Sequence, residues 1–263
     1  MVMEMDLYKK KINVGVVANI LRNWTKIRLQ PIRVYCFHQV SAQYNPLTMW
    51  ECDWTQIDQF KRNVLHLKAH YKFISLTEAH EKLKHDIFRI QKYAVLTADD
   101  GYKSLLNIIP WLEEQHIPIT IFLNTKYLDG KSWSAINEKQ ARQTKPDVDV
   151  LAEVCPYLYL NKTELKQLTY SPYVTIGMHG HEHLDAMKQT EREFEENVHR
   201  CQEVLTEYTK AVPYFAYTWG RYNHNTNTIL HNLGLTPVLT NGDVNYNNTK
   251  HIDRIPIDGQ ILK

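Results

Sequence analysis

Two adjacent carboxylates are the residues of this chain best placed to do chemistry. Asp99 and Asp100 follow the apolar run from Tyr93 to Thr97 and precede Gly101, which permits a sharp turn. Neighbouring side chains on an extended backbone point in different directions. One carboxylate can therefore bind a metal while the other acts on substrate as a base. On its own, the motif is also typical of a solvated turn that caps a helix.

A histidine cluster offers ligands for the same kind of site. His179, His181 and His183 lie close together, and neutral imidazole is a leading ligand for zinc and related metals. His179 and His183 can turn toward one ion from either a helix turn or a compact loop. Two histidines and one aspartate leave a coordination position open for water, as catalysis requires. The alternative is a polar, histidine-rich loop without a metal.

A third segment carries aromatic side chains beside a glycine turn. Tyr217 and Trp219 both precede the turn at Gly220, and their rings suit stacking on the faces of sugars. The same pattern is equally typical of a strand end at the rim of a hydrophobic core, so it indicates a binding site only in combination with the other two motifs.

The elements that must position these residues alternate between strand and helix patterns. Predicted strands cover residues 32–37, 72–76, 93–97, 119–123, 213–217, 236–240 and 254–257, and predicted helices cover 57–67, 104–115 and 190–208. This alternation indicates a mostly parallel sheet with right-handed crossovers, in which functional sites form at the strand ends. Both a barrel and an open sheet satisfy the pattern.

Length and composition favour one α/β domain. The chain has 263 residues, of which 43% are hydrophobic and 23% charged. A region of about 125–172, with Trp133, Pro146 and Pro156, predicts an insertion of loops and short helices. The net charge of +2 gives no basic surface that would favour nucleic acid. The widely spaced Cys36, Cys52, Cys155 and Cys201 predict buried thiols in a reducing compartment rather than a disulfide framework.

The N-terminal region, residues 1–30, predicts a helical extension. Lys9 to Lys11 precede an apolar stretch, Ile12 to Leu21, that is too short to span a bilayer and lacks a small-residue cleavage site. We therefore expect an amphipathic helix without a transmembrane segment, and a cytoplasmic protein. A degenerate signal or a peripheral membrane anchor is the alternative.

Together these segments resemble one family, the polysaccharide deacetylases, also called NodB-homology or carbohydrate esterase family 4 proteins. The resemblance spans roughly residues 31 to 258. It rests on T-x-D-D-G at 97–101, H-x-x-x-H at 179–183, the aromatic turn at 217–220, the opening motif at 35–40 and the closing Arg254-Ile255-Pro256. It implies a distorted (β/α)7-type barrel as a single domain over residues 31–263.

The resemblance also implies the roles of the site residues. Asp99 matches the catalytic base, and Asp100, His179 and His183 match the metal ligands. Zinc is the expected ion, although Ni²⁺, Co²⁺ or Fe²⁺ also suit these ligands. In the branch similar to poly-N-acetylglucosamine deacetylases the catalytic acid lies in an early motif, where this chain has His38.

Sugar binding is expected from Tyr102, Tyr217 and Trp219, while His181 is expected to point away from the metal. Three departures from the family pattern bear on this pocket: Gly180 replaces a Ser or Thr, Thr218-Trp219 replaces a Pro-Tyr, and Ala216 occupies the place of the arginine that often orients the base.

The resulting prediction is a metal-dependent hydrolase that removes an N-acetyl group from a carbohydrate. An O-acetyl or N-formyl sugar hydrolase would use the same site. A carbohydrate-binding protein that has lost turnover is the alternative from a different class, although a binder has no need of a base beside a metal. The oligomeric state stays open.

Overall fold

The computed structural model describes residues 30–47, 49, 51–86, 89–144 and 157–260. The predicted N-terminal extension, except for Gln30, and residues 145–156 of the predicted insertion lie outside this range. The strands are β1 (Ile32–Phe37), β2 (Gln39–Ser41), β3 (Trp54–Gln56), β4 (Lys72–Phe73), β5 (Tyr93–Ala98), β6 (Ile119–Leu123), β7 (Val174–Met178), β8 (Ala211–Ala216), β9 (Thr236–Leu239), β10 (Ile252–Asp253) and β11 (Ile255–Pro256). The helices are α1 (Ile57–His70), α2 (Leu76–His85), α3 (Ile109–Glu114), α4 (Ala135–Thr144), α5 (Lys162–Leu168), α6 (Glu191–Leu205) and α7 (His224–Asn232).

The main sheet is parallel and nearly closed. Its strand order is β10-β9-β8-β7-β6-β5-β1-β11, with β4 paired to β5. The two end strands, β10 and β11, are consecutive in sequence and separated only by Arg254, so this short segment joins the two ends of the sheet. The predicted barrel of the (β/α)7 type is therefore confirmed.

Burial on both sides explains why the strands appear in the sequence as continuous apolar runs. Along β6, Ile121 packs into one large core cluster, whereas the next residue, Phe122, packs into a second cluster with α2. Alternating residues of β5 divide in the same way, with Leu96 in the first cluster and Val95 in the second. Helices α1, α3, α5, α6 and α7 contribute side chains to the first cluster, whereas α2 contributes to the second.

Helix α6 begins as its sequence pattern predicts. Thr190 and Glu193 form a reciprocal capping box, and Phe194 and Val198 lie on the buried stripe. The helix ends at Leu205, three residues before the predicted boundary.

Other elements differ from the pattern. The predicted helix over 104–115 is a 3-10 turn at Lys103–Asn107 followed by α3, because Pro110 has no amide hydrogen for the interior of a helix and lies in the first turn instead. The parallel ribbon β2–β3 was not predicted. Within the described residues, no helix combines the length and apolar character needed to cross a membrane. Cys36, Cys52 and Cys201 are free.

Candidate active site

The carboxyl ends of the parallel strands bring the predicted residues together. His38 follows β1, Asp99 and Asp100 follow β5, His179 follows β7 and Trp219 lies just beyond β8. They line a cavity of about 400 Å³, a volume typical of small-molecule sites. The described residues that line it are His38, Cys52, Asp53, Asp99, Asp100, Tyr102, Ser134, Asn137, Tyr159, His179, His183, Tyr217, Trp219, Gly220 and Thr240.

Asp100, His179 and His183 form a candidate metal centre. Asp100 Oδ1 lies 3.2 Å from His179 Nε2 and 3.3 Å from His183 Nε2, and the three possible ligand atoms lie within 4.8 Å of one another. Asp100 Oδ1 is buried and makes no hydrogen bond within the described structure, as expected of an atom placed for an ion. His179 is oriented by its Nδ1, which lies 2.8 Å from the carbonyl oxygen of Ala216.

These donors suit a divalent metal such as zinc, because two imidazoles and a carboxylate are a set that zinc accepts with positions left for water and substrate. Burial raises the pKa of Asp100, but the adjacent His183 and His179 outweigh it and hold that pKa well below its usual value. The carboxylate is therefore ionised, as a ligand must be.

A strained turn directs the two aspartates. Asp100 has a φ of 67° and Gly101 a φ of 70°. A positive φ is uncommon for aspartate and typical of functional sites. A Cβ on Gly101 would lie 2.5 Å from Leu123 Cδ2, so a larger residue would have to displace this side chain and also adopt a strained φ. Gly180 has a φ of 88°, which accounts for glycine where the family pattern has Ser or Thr.

Asp99, the candidate base, is held by a buried arginine. Arg254 Nη1 donates to Asp99 Oδ1 at 2.6 Å and Nη2 donates to Oδ2 at 2.7 Å. Burial raises the pKa of Asp99, but Arg254, together with His179 and His38, outweighs it and lowers the pKa below its usual value. Because Ala216 occupies the usual place of the arginine, no arginine was expected to orient Asp99, and this expectation is wrong. Arg254, which lies between β10 and β11, takes that place.

His38, the candidate acid, is held by Asp258. The backbone N–H of His38 donates to Asp258 Oδ1 at 2.8 Å, and its Nδ1 lies 2.8 Å from Oδ2. Burial lowers the pKa of His38, but Asp258 outweighs it and raises the pKa well above its usual value. Because Nδ1 is occupied, Nε2 is the ring atom left to donate a proton.

The three predicted sugar-binding aromatics differ in exposure. Trp219 is 48% exposed and its indole packs edge-to-face on His183, with ring centroids 4.9 Å apart. Tyr217 is buried and donates to Asn227 Oδ1 at 2.9 Å. Tyr102 is buried and stacks on Tyr159. Trp219 is therefore the one of the three that offers an open ring face.

His181 is separate from this constellation. Its Nδ1 lies 3.0 Å from Thr125 Oγ1, and the residue neither lines the cavity nor joins the candidate metal ligands.

Residues 89–238, more than half of the chain, match the polysaccharide deacetylase family. The chain therefore belongs to this family and is a carbohydrate deacetylase. No curated protein matches it at a significant level.

Solved structures share the fold. IcaB from Ammonifex degensii is 20% identical with a TM-score of 0.69, over 88% of this chain and 93% of that one. The deacetylase PplD from Streptococcus pyogenes, solved with acetate, is 19% identical with a TM-score of 0.65, over 86% and 92%. A de-N-acetylase from Aggregatibacter actinomycetemcomitans is 14% identical with a TM-score of 0.65, over 87% and 95%. At these identities the likeness establishes the fold alone.

Proposed function

We propose that this deacetylase hydrolyses the N-acetyl group of a sugar in a polysaccharide or its precursor, with a divalent metal held by Asp100, His179 and His183. One observation carries the proposal. The cavity that holds the candidate metal ligands is also lined by Asp99, whose carboxylate is kept ionised by Arg254, and by His38, whose imidazole is kept protonated by Asp258. Two groups whose environments push their pKa values in opposite directions are typical of an acid–base pair.

The bound ion would supply Lewis-acid polarisation of the acyl oxygen and a lower pKa for water. Asp99 takes a proton from the water that attacks the acetyl carbon, and Arg254 keeps the carboxylate oriented and ionised for this step. His38 then donates its Nε2 proton to the leaving nitrogen. The C–N bond breaks, its electron pair stays with nitrogen, and acetate and an amine are released.

Zinc is the ion we propose. A site of two histidines and one aspartate also accepts nickel, cobalt or iron. The first assay should therefore measure acetate release from N-acetylglucosamine oligomers by protein loaded with each of these metals.

The decisive variant is Asp99→Asn, which keeps the shape of the side chain but removes its basicity. We expect kcat/KM for acetate release to fall by about 100-fold or more, as for loss of a general base. Zinc content, measured by mass spectrometry of the dialysed protein, should stay the same because Asp99 is not a proposed ligand.

Asp58→Asn is the matched control, because Asp58 is exposed in the first turn of α1 and does not line the cavity. Normal turnover by Asp99→Asn would show that the base is assigned wrongly. A wild-type protein that binds the oligomers but releases no acetate with any of the metals would point instead to a carbohydrate-binding protein.

A further inference from the structure

Asp53 is a carboxylate of the cavity that the mechanism above does not use. Strand β2 starts directly after His38, strand β3 starts directly after Asp53, and the first residues of the two strands, Gln39 and Trp54, are partners in a parallel ladder. Neighbouring strands lie about 4.8 Å apart, so His38 and Asp53 enter the ribbon side by side. Both line the cavity, which places Asp53 on the same side as the proton donor.

Among the described residues, the charge of Asp53 has no strong partner, unlike that of Asp99 and Asp258. Asp99 is paired with Arg254 and Asp258 with His38, whereas the hydrogen bond that a described residue makes to Asp53 comes from the thiol of Cys52, at 3.3 Å. A thiol is a weak donor, and an ionised carboxylate accepts about four hydrogen bonds.

No lysine or arginine is among the described residues that line the cavity. Burial raises the pKa of Asp53, and the neighbouring His38 acts in the opposite direction. The half-buried carboxylate therefore has free acceptor capacity beside the acid.

We propose that Asp53 accepts a hydrogen bond from the leaving nitrogen and thereby makes the site select amides over esters. This inference rests on the proposed function, because it takes His38 as the donor to the leaving group. An amide nitrogen carries one hydrogen in the substrate. When His38 delivers its proton, the nitrogen of the tetrahedral intermediate carries two hydrogens and positive charge, and its hydrogen bond to Asp53 is therefore strongest at this point, before the C–N bond breaks and the neutral amine leaves.

An interaction that strengthens in the transition state raises the rate of the chemical step. Asp53 itself neither gains nor loses a proton, and the amine keeps the proton from His38. The oxygen of an ester carries no hydrogen, so Asp53 would face lone pairs. Selectivity then arises from attraction to the amide and from repulsion of the ester.

The test compares two substrates on the same variant. Asp53→Asn and Asp53→Ala are assayed, with the wild type, on a matched pair of glycosides that carry an acetamido or an acetoxy group at the same carbon. We expect kcat/KM on the acetamido sugar to fall by about 10-fold or more, as for loss of one charge-assisted contact in the transition state. On the acetoxy sugar, kcat/KM should stay within about 2-fold or rise, because the repulsion of the ester is removed.

Asp58→Asn again serves as the control, since it applies the same change five residues away outside the cavity. Melting temperature and zinc content of each variant separate loss of fold or metal from loss of selectivity. An equal fall on both sugars would show that Asp53 binds a sugar hydroxyl or supports the fold, and no change on either would show that it does not touch the substrate.

Both of these results overturn the inference while leaving the proposed function standing. A wild type that releases acetate from the acetoxy sugar alone overturns the N-acetyl proposal, and the inference with it. The two failures are therefore distinguishable.

Discussion

At the scale of the residue, the proposed acid, His38, and the proposed base, Asp99, each have a partner of opposite charge. Arg254 favours the ionised form of Asp99, whereas Asp258 favours the protonated form of His38. At neutral pH both groups are therefore in the state that the proposed mechanism needs, before any substrate binds. Exchanging Asp258 should therefore change the pH dependence of turnover.

Asp258→Asn tests the pairing of the acid. His38 has a raised pKa, so its donor form is present at neutral pH and is lost as pH rises through that pKa. Removing the carboxylate lowers the pKa, and the alkaline limb of the kcat profile should move to lower pH. The acidic limb, which reports Asp99, should stay in place. We would measure kcat against pH for both proteins, and an unmoved alkaline limb would contradict the role of His38 as the acid.

Local motifs explain which site residues the sequence could predict. Two short segments hold Asp99, Asp100, His179 and His183, and their residue types together with the family resemblance predicted one shared site. The partners of Asp99 and His38 lie far away in sequence: Arg254 is 155 residues from Asp99, and Asp258 is 220 residues from His38.

Contacts between residues so far apart in the sequence form only when the barrel closes. The spacing of motifs along the chain does not reveal this closure. For Arg254 the sequence did offer a signal, because the closing Arg-Ile-Pro motif resembles that of the family. The motif does not show, however, which carboxylate the arginine contacts.

At the scale of the element, α4 forms one wall of the cavity. Asn137 on this helix receives hydrogen bonds through Oδ1 from Ser134 and, at 2.6 Å, from the hydroxyl of Tyr159, while its Nδ2 donates to the hydroxyl of Tyr102 at 3.3 Å. One amide thus ties the segment between β6 and β7 to the residue that follows Gly101. The strands β2 and β3, which start directly after the cavity residues His38 and Asp53, have three residues each, too few for a periodic pattern, so the sequence did not predict this ribbon.

Asn137→Ala tests the wall formed by α4. The buried hydroxyl of Tyr159 loses its partner, which costs about 1–3 kcal/mol of the free energy of unfolding. We also expect KM to rise, because the wall of the cavity loosens. Urea denaturation and steady-state kinetics measure both effects. Lys139→Ala, on the exposed face of the same helix, is the matched control. Unchanged stability of Asn137→Ala would show that the tyrosines find other partners.

At the scale of the whole molecule, closure of the barrel assembles the site. The segment that joins the two ends of the sheet carries Arg254 and leads directly to Asp258, so one stretch near the end of the described chain supplies the partners of both the proposed base and the proposed acid. Asp99 follows β5 and His38 follows β1, and these two strands are neighbours in the sheet. Fold and function are coupled here, since an open sheet would leave both groups without their partners.

Metal binding should therefore be visible in the stability of the entire domain. The candidate ligands come from the ends of β5 and β7, and an ion would neutralise the buried carboxylate of Asp100 that both strands enclose. An ion present at about 100 times its Kd stabilises the folded state by about 2.7 kcal/mol. For a domain of this size each kcal/mol shifts Tm by about 2–4 °C, so a chelator should lower Tm by about 5–10 °C.

Calorimetry with and without chelator, followed by addition of zinc, measures this shift. The variant His183→Gln lacks one proposed ligand and should hold the ion weakly even before the chelator is added. The chelator should therefore change the Tm of this variant little. Wild type and variant that respond equally to the chelator would contradict the assignment of His183. A wild type whose Tm responds to neither the chelator nor zinc would contradict the metal site as a whole, and with it the polarisation of the acyl group on which the proposed hydrolysis depends.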